Sequence, residues 1–409
     1  MTRGQHCRGC GAAGLQDVLD HGNLPLADGF PDRADDPSAI ETFPVRLALC
    51  EACGLAQLRD TVPRTTLFGD EYPYLASCST AWLEHGAEQA RRRIEERGLD
   101  AASKVVEIAS NDGYLLQFFA AAGVRTLGIE PAPIPAAAAR ERGIDTREAF
   151  FDGDVARDLV AAGWAADLIL ANNVLAHSED LHGLVAGVRT LLKPEGLAVF
   201  EFGYLADLFD QLAYDTLYHE HLCVFSLRAV KALFEGYGLA VIDAERIGTQ
   251  GGSLRVAVAH RGPPSPAVAA VLAAEDTAGL ALAPTHRAFA ERVRRHAGEF
   301  RDLLEQRRAS GRRVAAYGAP AKGTTLLNVC GIDANLIDYA VDRNPRKQGR
   351  QIPGTGIPIE APDRLRAAPP DDLVILPWNL RDEILAQETL LAERGTAFIL
   401  PLPAIEVVS

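Results

Sequence analysis

Two closely spaced pairs of cysteines place the strongest constraint on the N-terminal part of the chain. Cys7 and Cys10 are separated by two residues, and so are Cys50 and Cys53. This spacing lets both sulfurs of a pair face one ion, and two such pairs are typical of a closed four-thiolate zinc site. We therefore predict a zinc ion with these four ligands. We expect it to be structural, because no coordination position would stay open for a substrate. Two unrelated cysteine pairs are the alternative.

Length and charge limit the classes of protein to which the chain can belong. With 409 residues it is long for one hydrophobic core, so two or three domains are expected. Its formal net charge of −14 argues against nucleic acid as a partner, because phosphate binding requires a basic surface. No apolar run approaches the roughly 20 residues of a membrane span, and the N-terminus lacks the apolar stretch of a signal peptide. We expect a cytoplasmic protein without a membrane partner, present as a monomer or a weak homodimer.

Strand-like and helix-like segments alternate through most of the chain. Apolar runs that are typical of strands lie at 104–108, 124–130, 166–171 and 196–201, with helical patterns between them. This alternation predicts an α/β fold with a parallel sheet and right-handed crossovers. A long helical region at about 267–310 precedes a second α/β pattern. The predicted domains are a small zinc-binding domain at 1–66, a Rossmann-like domain at 67–262 and a C-terminal α/β domain at 263–409.

The turn after the first predicted strand has the features of a nucleotide-cofactor site. A tight turn with Gly113 leads into a helix whose first backbone N–H groups are free to face a ligand. The turn lacks the G-x-G-x-x-G pattern that brings a pyrophosphate close to the backbone, which favours S-adenosylmethionine over NAD. Glu107 suits the positive end of that cofactor, and Glu130, at the end of the next strand, is placed to accept both ribose hydroxyls. A plain α/β crossover is the alternative.

Later turns at the same edge of the sheet complete the predicted cofactor site. Phe151 could stack on the adenine, and Asp152 could accept a hydrogen bond from its amino group, although the aromatic ring could equally belong to the core. Asn172 and Asn173 follow the fourth strand, at the edge where open α/β sheets bind ligands. The candidate cofactor-binding residues are Glu107, Ser110, Asn111, Gly113, Glu130, Phe151, Asp152, Asn172 and Asn173.

The densest group of reactive side chains is the sequence YDTLYHEH at 214–221. Its two tyrosines, two histidines and two acids supply acids, bases and groups that can orient them. A neutral histidine can take a proton near pH 7, and an adjacent carboxylate can hold its tautomer. We interpret the segment as a catalytic site. A second metal site and a structural polar cluster are the alternatives, although no H-E-x-x-H spacing is present.

These features resemble those of the zinc-containing sugar C-methyltransferases of deoxysugar biosynthesis. The resemblance covers essentially the whole chain and is carried by the cysteine pairs and, in order, by the sequences GNLPLADGF, EYPYLAS, EIASNDGYLL, NNVLAH, LYHEH, GGSLRVAV, YGAPAKGTTLLN and VDRNPRKQG. It implies an S-adenosylmethionine-dependent enzyme of the dTDP-4-keto-hexose 3-C-methyltransferase type. The implied substrate is a dTDP-linked 4-keto-deoxyhexose, methylated at the carbon beside the ketone through an enolate.

The resemblance also implies roles for individual residues. It suggests His221 as the base and Tyr218 near the enolate oxygen, with the division of roles left open. The implied catalytic and cleft residues are His221, Tyr218, Glu220, His177, Tyr72 and Tyr74.

The C-terminal domain would then hold the nucleotide of the substrate. The turn before a helix predicted from about residue 323 offers backbone N–H groups, two hydroxyls and a lysine as a cradle for a diphosphate, with an ordinary helix cap as the alternative. The implied nucleotide-sugar residues are Lys322, Thr324, Asn328, Asp342, Lys347 and Trp378.

Two other functions fit part of the same pattern. An O- or N-methyltransferase acting on a nucleotide sugar, or on another small activated metabolite, would use the same cofactor. A non-enzymatic zinc module that binds macromolecules is a third hypothesis, which the acidic charge and the cluster of reactive side chains disfavour.

Overall fold

The computed structural model describes residues 2–67 and 75–408 of the chain. The predicted cleft residues Tyr72 and Tyr74 lie outside this described part. No single helix within it is long and apolar enough to cross a membrane; one pair of consecutive helices, bent by 70°, meets the criteria of length and composition together.

The N-terminal region forms a small antiparallel sheet beside the cysteine pairs. Its elements are β1 (Thr2–Arg3), β2 (Gln16–Pro25), β3 (Thr42–Leu49), β4 (Ala56–Leu58), β5 (Asp60–Thr61) and the short helix α1 (Arg64–Leu67). β3 pairs with both β2 and β4, and β1 pairs with β5. The long segment between the two cysteine pairs therefore has strand structure of its own.

The central region is built on a seven-stranded sheet. In chain order the strands of this region are β6 (Lys104–Ile108), β7 (Arg125–Ile129), β8 (Thr146–Arg147), β9 (Ala166–Asn172), β10 (Leu192–Gly203), β11 (Cys223–Val224), β12 (Ala240–Ile247) and β13 (Ser253–Ala259). The sheet has the order β12-β13-β10-β9-β6-β7-β8, and β13 runs opposite to the others. The exception is β11, which pairs with β4 and so extends the N-terminal sheet.

Helices cover both faces of the central sheet. They are α2 (Thr80–Arg97), α3 (Leu116–Ala121), α4 (Pro133–Glu141), α5 (Gly153–Ala161), α6 (Leu181–Leu191), α7 (Leu205–Asp210) and α8 (Leu227–Glu235). The alternation of strands and helices confirms the predicted α/β class with a Rossmann-like sheet.

Local signals in the sequence set several of these bounds. α2 begins after Ser79, whose hydroxyl accepts a hydrogen bond from the backbone N–H of Trp82, and ends at Gly98, which has the left-handed φ of 59°. β6 has the predicted bounds as well. β10 is longer than predicted, because a register shift lets Leu192 pair with Ala166 ahead of the regular ladder.

The C-terminal region contains two helices followed by a second sheet. Its elements are α9 (Pro266–Ala278), α10 (Ala283–Ala309), β14 (Val314–Tyr317), α11 (Ala321–Cys330), β15 (Tyr339–Val341), β16 (Ile359–Glu360), α12 (Asp363–Ala367), β17 (Asp372–Ile375), α13 (Arg381–Gln387), α14 (Thr389–Glu393), β18 (Ala397–Leu400) and β19 (Glu406–Val408). The sheet order is β16-β15-β14-β17-β18-β19, with only β19 antiparallel to its neighbour. This confirms the predicted C-terminal α/β region.

The helical region predicted at about 267–310 is divided into two helices. Gly279 adopts a left-handed φ of 64° and ends α9, and Pro284 occupies the first turn of α10. A glycine in this conformation and a proline just inside a helix start are ordinary stop and start signals. α11 begins slightly earlier than predicted, because Pro320 takes the position before its first turn.

Two hydrophobic cores join the three regions. Leu55, beside a cysteine pair, belongs with Phe225 to the core that extends under the central sheet. Leu47 of β3 belongs instead to a core with Phe289 of α10 and Leu326 of α11. The N-terminal region therefore buries its apolar side chains against both of the other regions, as expected for a segment that is too small to form a core alone.

Two glycines with the same backbone conformation allow a test of packing at the turn between β6 and α3. Gly113 (φ +76°) and Gly123 (φ +80°) are both left-handed, but a Cβ on Gly113 would lie 3.0 Å from Cγ1 of Ile144, whereas a Cβ on Gly123 would meet open space. We expect Gly123→Ala to lower the free energy of unfolding by about 1 kcal/mol. Gly113→Ala should cost roughly 1–3 kcal/mol more, because Ile144 must move. Equal losses in denaturant titrations would show that the contact with Ile144 is unimportant.

Candidate functional site

The four predicted zinc ligands lie together. Their Sγ atoms are all within 4.8 Å of one another. The Sγ atoms of Cys7 and Cys53 are 3.5 Å apart and those of Cys10 and Cys50 are 3.6 Å apart, close to the ~3.8 Å expected across a tetrahedron with Zn–S bonds of about 2.3 Å. Among the described residues no other group of three or more candidate ligands is found. The donor set and its spacing fit a structural zinc ion.

A glycine that follows each cysteine pair closes the turn around the ion. The backbone N–H of Gly11 donates to the carbonyl of Cys7 at 2.9 Å, and that of Gly54 donates to the carbonyl of Cys50 at 2.8 Å. Both glycines have positive φ, at 74° and 79°, so a residue with a Cβ would be strained there. The two halves of the site are therefore built in the same way.

A pocket opens at the carboxyl ends of β6, β7 and β9, where the sequence predicts the cofactor. Five predicted cofactor residues line this pocket, together with the predicted cleft residue His177: Asn111, Glu130, Phe151, Asn172 and Asn173. The pocket lies at the edge of the sheet where parallel α/β folds bind their ligands.

Glu130 is held in place for hydrogen bonding within this pocket. Its two carboxylate oxygens accept hydrogen bonds from the backbone N–H groups of Asn111, at 2.9 Å, and Ala132, at 2.8 Å. Burial raises the pKa of Glu130 to about 7. Each oxygen keeps a further lone pair, so the ionised carboxylate has the capacity to accept the two hydroxyls of a ribose.

Backbone strain is concentrated around the pocket. Ala109 and Asn111, just after β6, have φ values of +52° and +49°, and Asn173, just after β9, has φ +56°. All three residues carry a Cβ, and all three line the pocket. Left-handed conformations of such residues are costly and cluster at ligand sites, which supports a binding role for these turns.

The other four predicted cofactor residues lie outside the pocket lining. Glu107 is 1% exposed, and its Oε2 has no hydrogen-bond partner among the described residues. Burial, followed by the charge of Glu130, raises its pKa well above the usual range. A buried carboxyl with an unused oxygen behind the pocket fits a cofactor that carries positive charge.

Ser110, Gly113 and Asp152 are used in the fold. A Cβ on Gly128 would collide with Oγ of Ser110, so this serine packs over the neighbouring strand. Oδ1 of Asp152 accepts hydrogen bonds from the N–H groups of Asp154 and Val155 and thereby caps α5. Gly113 provides the left-handed turn described above. Contacts of these three residues with a cofactor stay predictions.

A buried polar network beneath the pocket was not predicted from the sequence. Nδ2 of Asn172 donates to the hydroxyl of Tyr114 at 3.0 Å and to Oε1 of Gln89 at 3.2 Å. Nε2 of Gln89 donates in turn to Glu201 at 2.9 Å, and Glu201 is paired with Arg255 at 2.6 Å. The signal in the sequence is Gln89 itself, a polar residue on the face of α2 that packs against the sheet.

The reactive segment at 214–221 places a neutral histidine at the end of this pocket. Nδ1 of His221 lies 2.6 Å from the carbonyl oxygen of Thr216 and must therefore donate, which leaves Nε2 as an acceptor. The hydroxyl of Tyr218 lies 3.3 Å from that Nε2. The ring of His177, which lines the pocket, is 4.8 Å from the ring of His221. The predicted base thus lies beside the predicted cofactor pocket.

Burial sets the protonation of this cluster. Burial, followed by the neighbouring His177, lowers the pKa of His221 to about 3, so its imidazole is neutral at pH 7. The pKa of Glu220 is raised well above the usual range by burial and then by Asp28. Burial therefore favours the protonated form of Glu220, which can donate a hydrogen bond.

Asp28 is a site residue that the sequence analysis did not single out. It belongs to the GNLPLADGF sequence of the N-terminal region, and its carboxylate lies 4.0 Å from Nζ of Lys347. The same lysine lowers the pKa of Glu220. The N-terminal region and the C-terminal region therefore both meet the catalytic segment here. The sequence does not indicate this contact, because the three residues lie far apart along the chain.

The predicted nucleotide-sugar residues are dispersed over two places. Lys347 and Asp342 hold the turn before α11: Nζ of Lys347 donates to the carbonyl of Ala319, and Oδ2 of Asp342 accepts from its N–H, both at 2.8 Å. At the second place, Trp378 donates a hydrogen bond to Asp215 of the catalytic segment, and Lys322 donates one to the carbonyl of Gln250, in the loop before β13.

Thr324 and Asn328 make internal hydrogen bonds. The hydroxyl of Thr324 donates to the carbonyl of Ala27 at 3.0 Å, and Nδ2 of Asn328 donates to the carbonyls of Thr324, at 2.8 Å, and Pro353, at 3.0 Å. Thr324 therefore holds the C-terminal region against the N-terminal region, and Asn328 holds α11 to the loop at Pro353 within the C-terminal region. Their contact with a nucleotide stays a prediction.

Comparisons with known proteins give a consistent assignment along the chain. Three family models match it: a zinc binding domain at 7–68, a methyltransferase domain at 82–244 and the C-terminal domain of C-methyltransferases at 248–403. The C-methyltransferase NovU of Streptomyces niveus is 36% identical over 406 residues, which cover 98% of this chain and 96% of that protein.

Solved methyltransferase structures resemble part of the chain at a lower level. A 1,6-didemethyltoxoflavin-N1-methyltransferase of Burkholderia thailandensis is 14% identical, with a TM-score of 0.36, over 50% of this chain and 94% of that one. The glycopeptide N-methyltransferase MtfA, solved with S-adenosylmethionine, is 16% identical, with a TM-score of 0.34, over 43% of this chain and 94% of that one. The sequence matches, and not these structures, carry the family assignment.

Loss of one thiolate tests the zinc site. We expect Cys50→Ser to lower the zinc content measured by elemental analysis and to lower the midpoint of thermal unfolding, because three thiolates leave the tetrahedron open. Cys78→Ser is the matched control, because Cys78 is exposed and lies outside the ligand group. Zinc retained at the wild-type level in Cys50→Ser would contradict the assignment.

The pKa of Glu130 gives a pH-dependent test of the cofactor pocket. Because its pKa is about 7, the ionised form that accepts hydroxyls becomes about tenfold more populated between pH 6 and pH 8. We expect the affinity for S-adenosylhomocysteine, measured by calorimetry, to rise by up to about tenfold over this range. Glu130→Gln should bind more weakly and lose the dependence, whereas Glu148→Gln, at an exposed position, should keep it. An unchanged pH profile in Glu130→Gln would exclude this role.

Proposed function

Because the chain belongs to the S-adenosylmethionine-dependent C-methyltransferases that carry an N-terminal zinc-binding domain, we propose that it methylates the carbon beside the ketone of a dTDP-linked 4-keto-deoxyhexose. The zinc ion is structural, and methyl transfer takes place at the pocket of the central region. The observation that carries the proposal is the neutral His221, whose Nε2 can accept a proton beside that pocket.

His221 is proposed as the base that removes a proton from the acceptor carbon. A ketone makes the neighbouring C–H acidic, so a positioned imidazole can remove the proton near neutral pH. The carbonyl of Thr216 fixes the tautomer by holding the proton on Nδ1. The proton removed from the acceptor carbon binds Nε2, while the proton on Nδ1 stays in place. The electron pair of the C–H bond moves toward the ketone oxygen.

Tyr218 and the protonated Glu220 are proposed as hydrogen-bond donors to that oxygen. Donors already in place stabilise the developing negative charge without reorganising. Burial favours the protonated form of Glu220 by raising its pKa, because a carboxylate there would be poorly solvated. When bound, S-adenosylmethionine supplies the electrophilic methyl group. The pocket residues hold the acceptor carbon in line with it, which accounts for much of the rate.

The nucleotide is proposed to bind the C-terminal region at the start of α11. The turn there is fixed from both sides by Asp342 and Lys347, and the N-terminus of a helix favours a diphosphate. In this proposal the chain divides into units at 1–66, 67–262 and 263–409, with the substrate between the second and the third.

Replacement of His221 tests the proposed chemistry. The amide of His221→Asn can keep the hydrogen bond to the Thr216 carbonyl, whereas nothing replaces Nε2. We expect exchange of deuterium from solvent into the carbon beside the ketone, followed by NMR on a dTDP-linked 4-keto-6-deoxyhexose, to fall by about 10²–10⁴-fold. Methylation should fall in parallel.

The affinity for S-adenosylhomocysteine is the control, because it should be unchanged in His221→Asn. Wild-type protein that neither exchanges this hydrogen nor methylates any nucleotide-linked keto-sugar would contradict the proposal. Methylation of a nucleotide sugar that lacks the ketone would favour transfer to oxygen or nitrogen instead.

A further inference from the structure

Asp215 is a fully buried acid in the catalytic segment that the chemistry above leaves without a role. It is 0% exposed, and its Oδ2 accepts a hydrogen bond of 2.7 Å from Nε1 of Trp378. Trp378 lies in the C-terminal region, after β17. A buried carboxyl is costly unless it is paired, so its partners indicate what it does.

The positive charge that acts on Asp215 is the ammonium of Lys322. Burial raises the pKa of Asp215 to about 6, and the charge of Lys322 partly offsets this; burial lowers the pKa of Lys322, and the charge of Asp215 partly offsets that. Nζ of Lys322 donates to the carbonyl of Gln250 at 3.0 Å and lies 5.6 Å from the centre of the Trp378 ring. The lysine is thus held by a carbonyl and an aromatic face, and it lies in the field of the Asp215 carboxylate.

The loop that carries Gln250 is shaped to receive these groups. Gln250 and Gly251 both have positive φ, at 56° and 87°. A Cβ on Gly251 would lie 2.7 Å from Cη2 of Trp378, so the indole packs directly on this backbone. The strained loop therefore fixes both the ring and the acceptor of the lysine.

The field of Lys322 reaches the proposed base. Its positive charge is one of the causes of the low pKa of His221. A cation at this place disfavours a protonated imidazole, yet it would favour negative charge on a nearby substrate oxygen. In the free enzyme the cation therefore disfavours a protonated His221. During proton removal it favours the negative charge that develops on the ketone oxygen.

The geometry points to Lys322 as a further catalytic residue, whose ammonium stabilises the negative ketone oxygen, with Asp215 and Trp378 as the residues that position it. The inference rests on the proposed function. In the step, the C–H bond breaks, the proton passes to Nε2 of His221 and the electron pair reaches the oxygen beside Lys322. The pair would then form the new C–C bond to the methyl group of S-adenosylmethionine as the bond from that methyl group to sulfur breaks and S-adenosylhomocysteine leaves; no bond to the lysine is made.

The test compares Lys322→Met, which removes the charge, with Lys322→Arg, which keeps it. In the full-length zinc-containing protein with the dTDP-linked 4-keto-6-deoxyhexose, Lys322→Met should lower kcat and the exchange of the hydrogen beside the ketone by about 10²-fold. KM for the nucleotide sugar should change little, and Lys322→Arg should restore part of the exchange. Lys231→Met, on α8, is the matched control and should change neither quantity.

The positioning residues are tested by the same readouts. Asp215→Asn keeps an acceptor for Trp378 but removes the charge, and Trp378→Phe removes only the N–H; each should reduce exchange by about tenfold without raising KM. If either variant fails to fold, the comparison of Lys322→Met with Lys322→Arg still tests the inference.

A raised KM with normal exchange at saturation in Lys322→Met would overturn the inference, because the lysine would then bind the diphosphate. Normal exchange and normal KM in this variant would overturn it as well. Absence of exchange in the wild-type protein would instead contradict the proposed function itself.

Discussion

The pairing of β11 with β4 is the interaction on which the arrangement of the active site depends. Cys223 and Val224 pair with Gln57 and Ala56, and the backbone N–H of Leu58 donates to the carbonyl of Leu222 at 2.8 Å. The catalytic segment ends immediately before this strand. The N-terminal region, which carries the zinc ligands, therefore fixes the end of the segment that carries His221. Zinc itself takes no part in the proposed chemistry.

The beginning of the segment is held from the opposite side. The hydroxyl of Tyr214 lies 3.0 Å from Nδ1 of His296 and 3.2 Å from Sγ of Cys330, which belong to α10 and α11. The catalytic segment is thus attached to the C-terminal helices at its beginning and to the N-terminal sheet just after its end. Because both ends are fixed, the short hydrogen bond from His221 to Thr216 can set the tautomer without help from a carboxylate. The carbonyl of Thr216 thus takes the place of the adjacent acid that the sequence predicts for this task.

Burial is the common cause of the unusual protonation in this site. It keeps His221 neutral and raises the pKa of the adjacent Glu220, so it favours a neutral base and a protonated acid next to each other in the chain. Two acidic groups beside the cofactor pocket, Glu107 and Glu130, also have raised pKa values. A positively charged cofactor would favour their ionised forms. Its charge would therefore offset the free-energy cost of burying two carboxylates.

The sequence predicted those features that local spacing determines. The zinc ligands, β6 and the turn after it follow from residues close to one another in the chain. Contacts across long separations could not be read in this way. Asp28 approaches Glu220, and Trp378 reaches Asp215, because three regions share two cores. Ser110 lies in a predicted ligand turn, yet it packs on Gly128, because that neighbouring strand position has no side chain.

The central claim is that a methyl group is transferred to the ring carbon beside the ketone of a nucleotide-linked sugar. The most direct measurement is carbon NMR of the product formed from methyl-labelled S-adenosylmethionine and a dTDP-linked 4-keto-6-deoxyhexose. The account predicts that the labelled methyl carbon is bonded to the ring carbon next to the carbonyl. A labelled methyl group on an oxygen or a nitrogen, or on a carbon remote from the ketone, would contradict it.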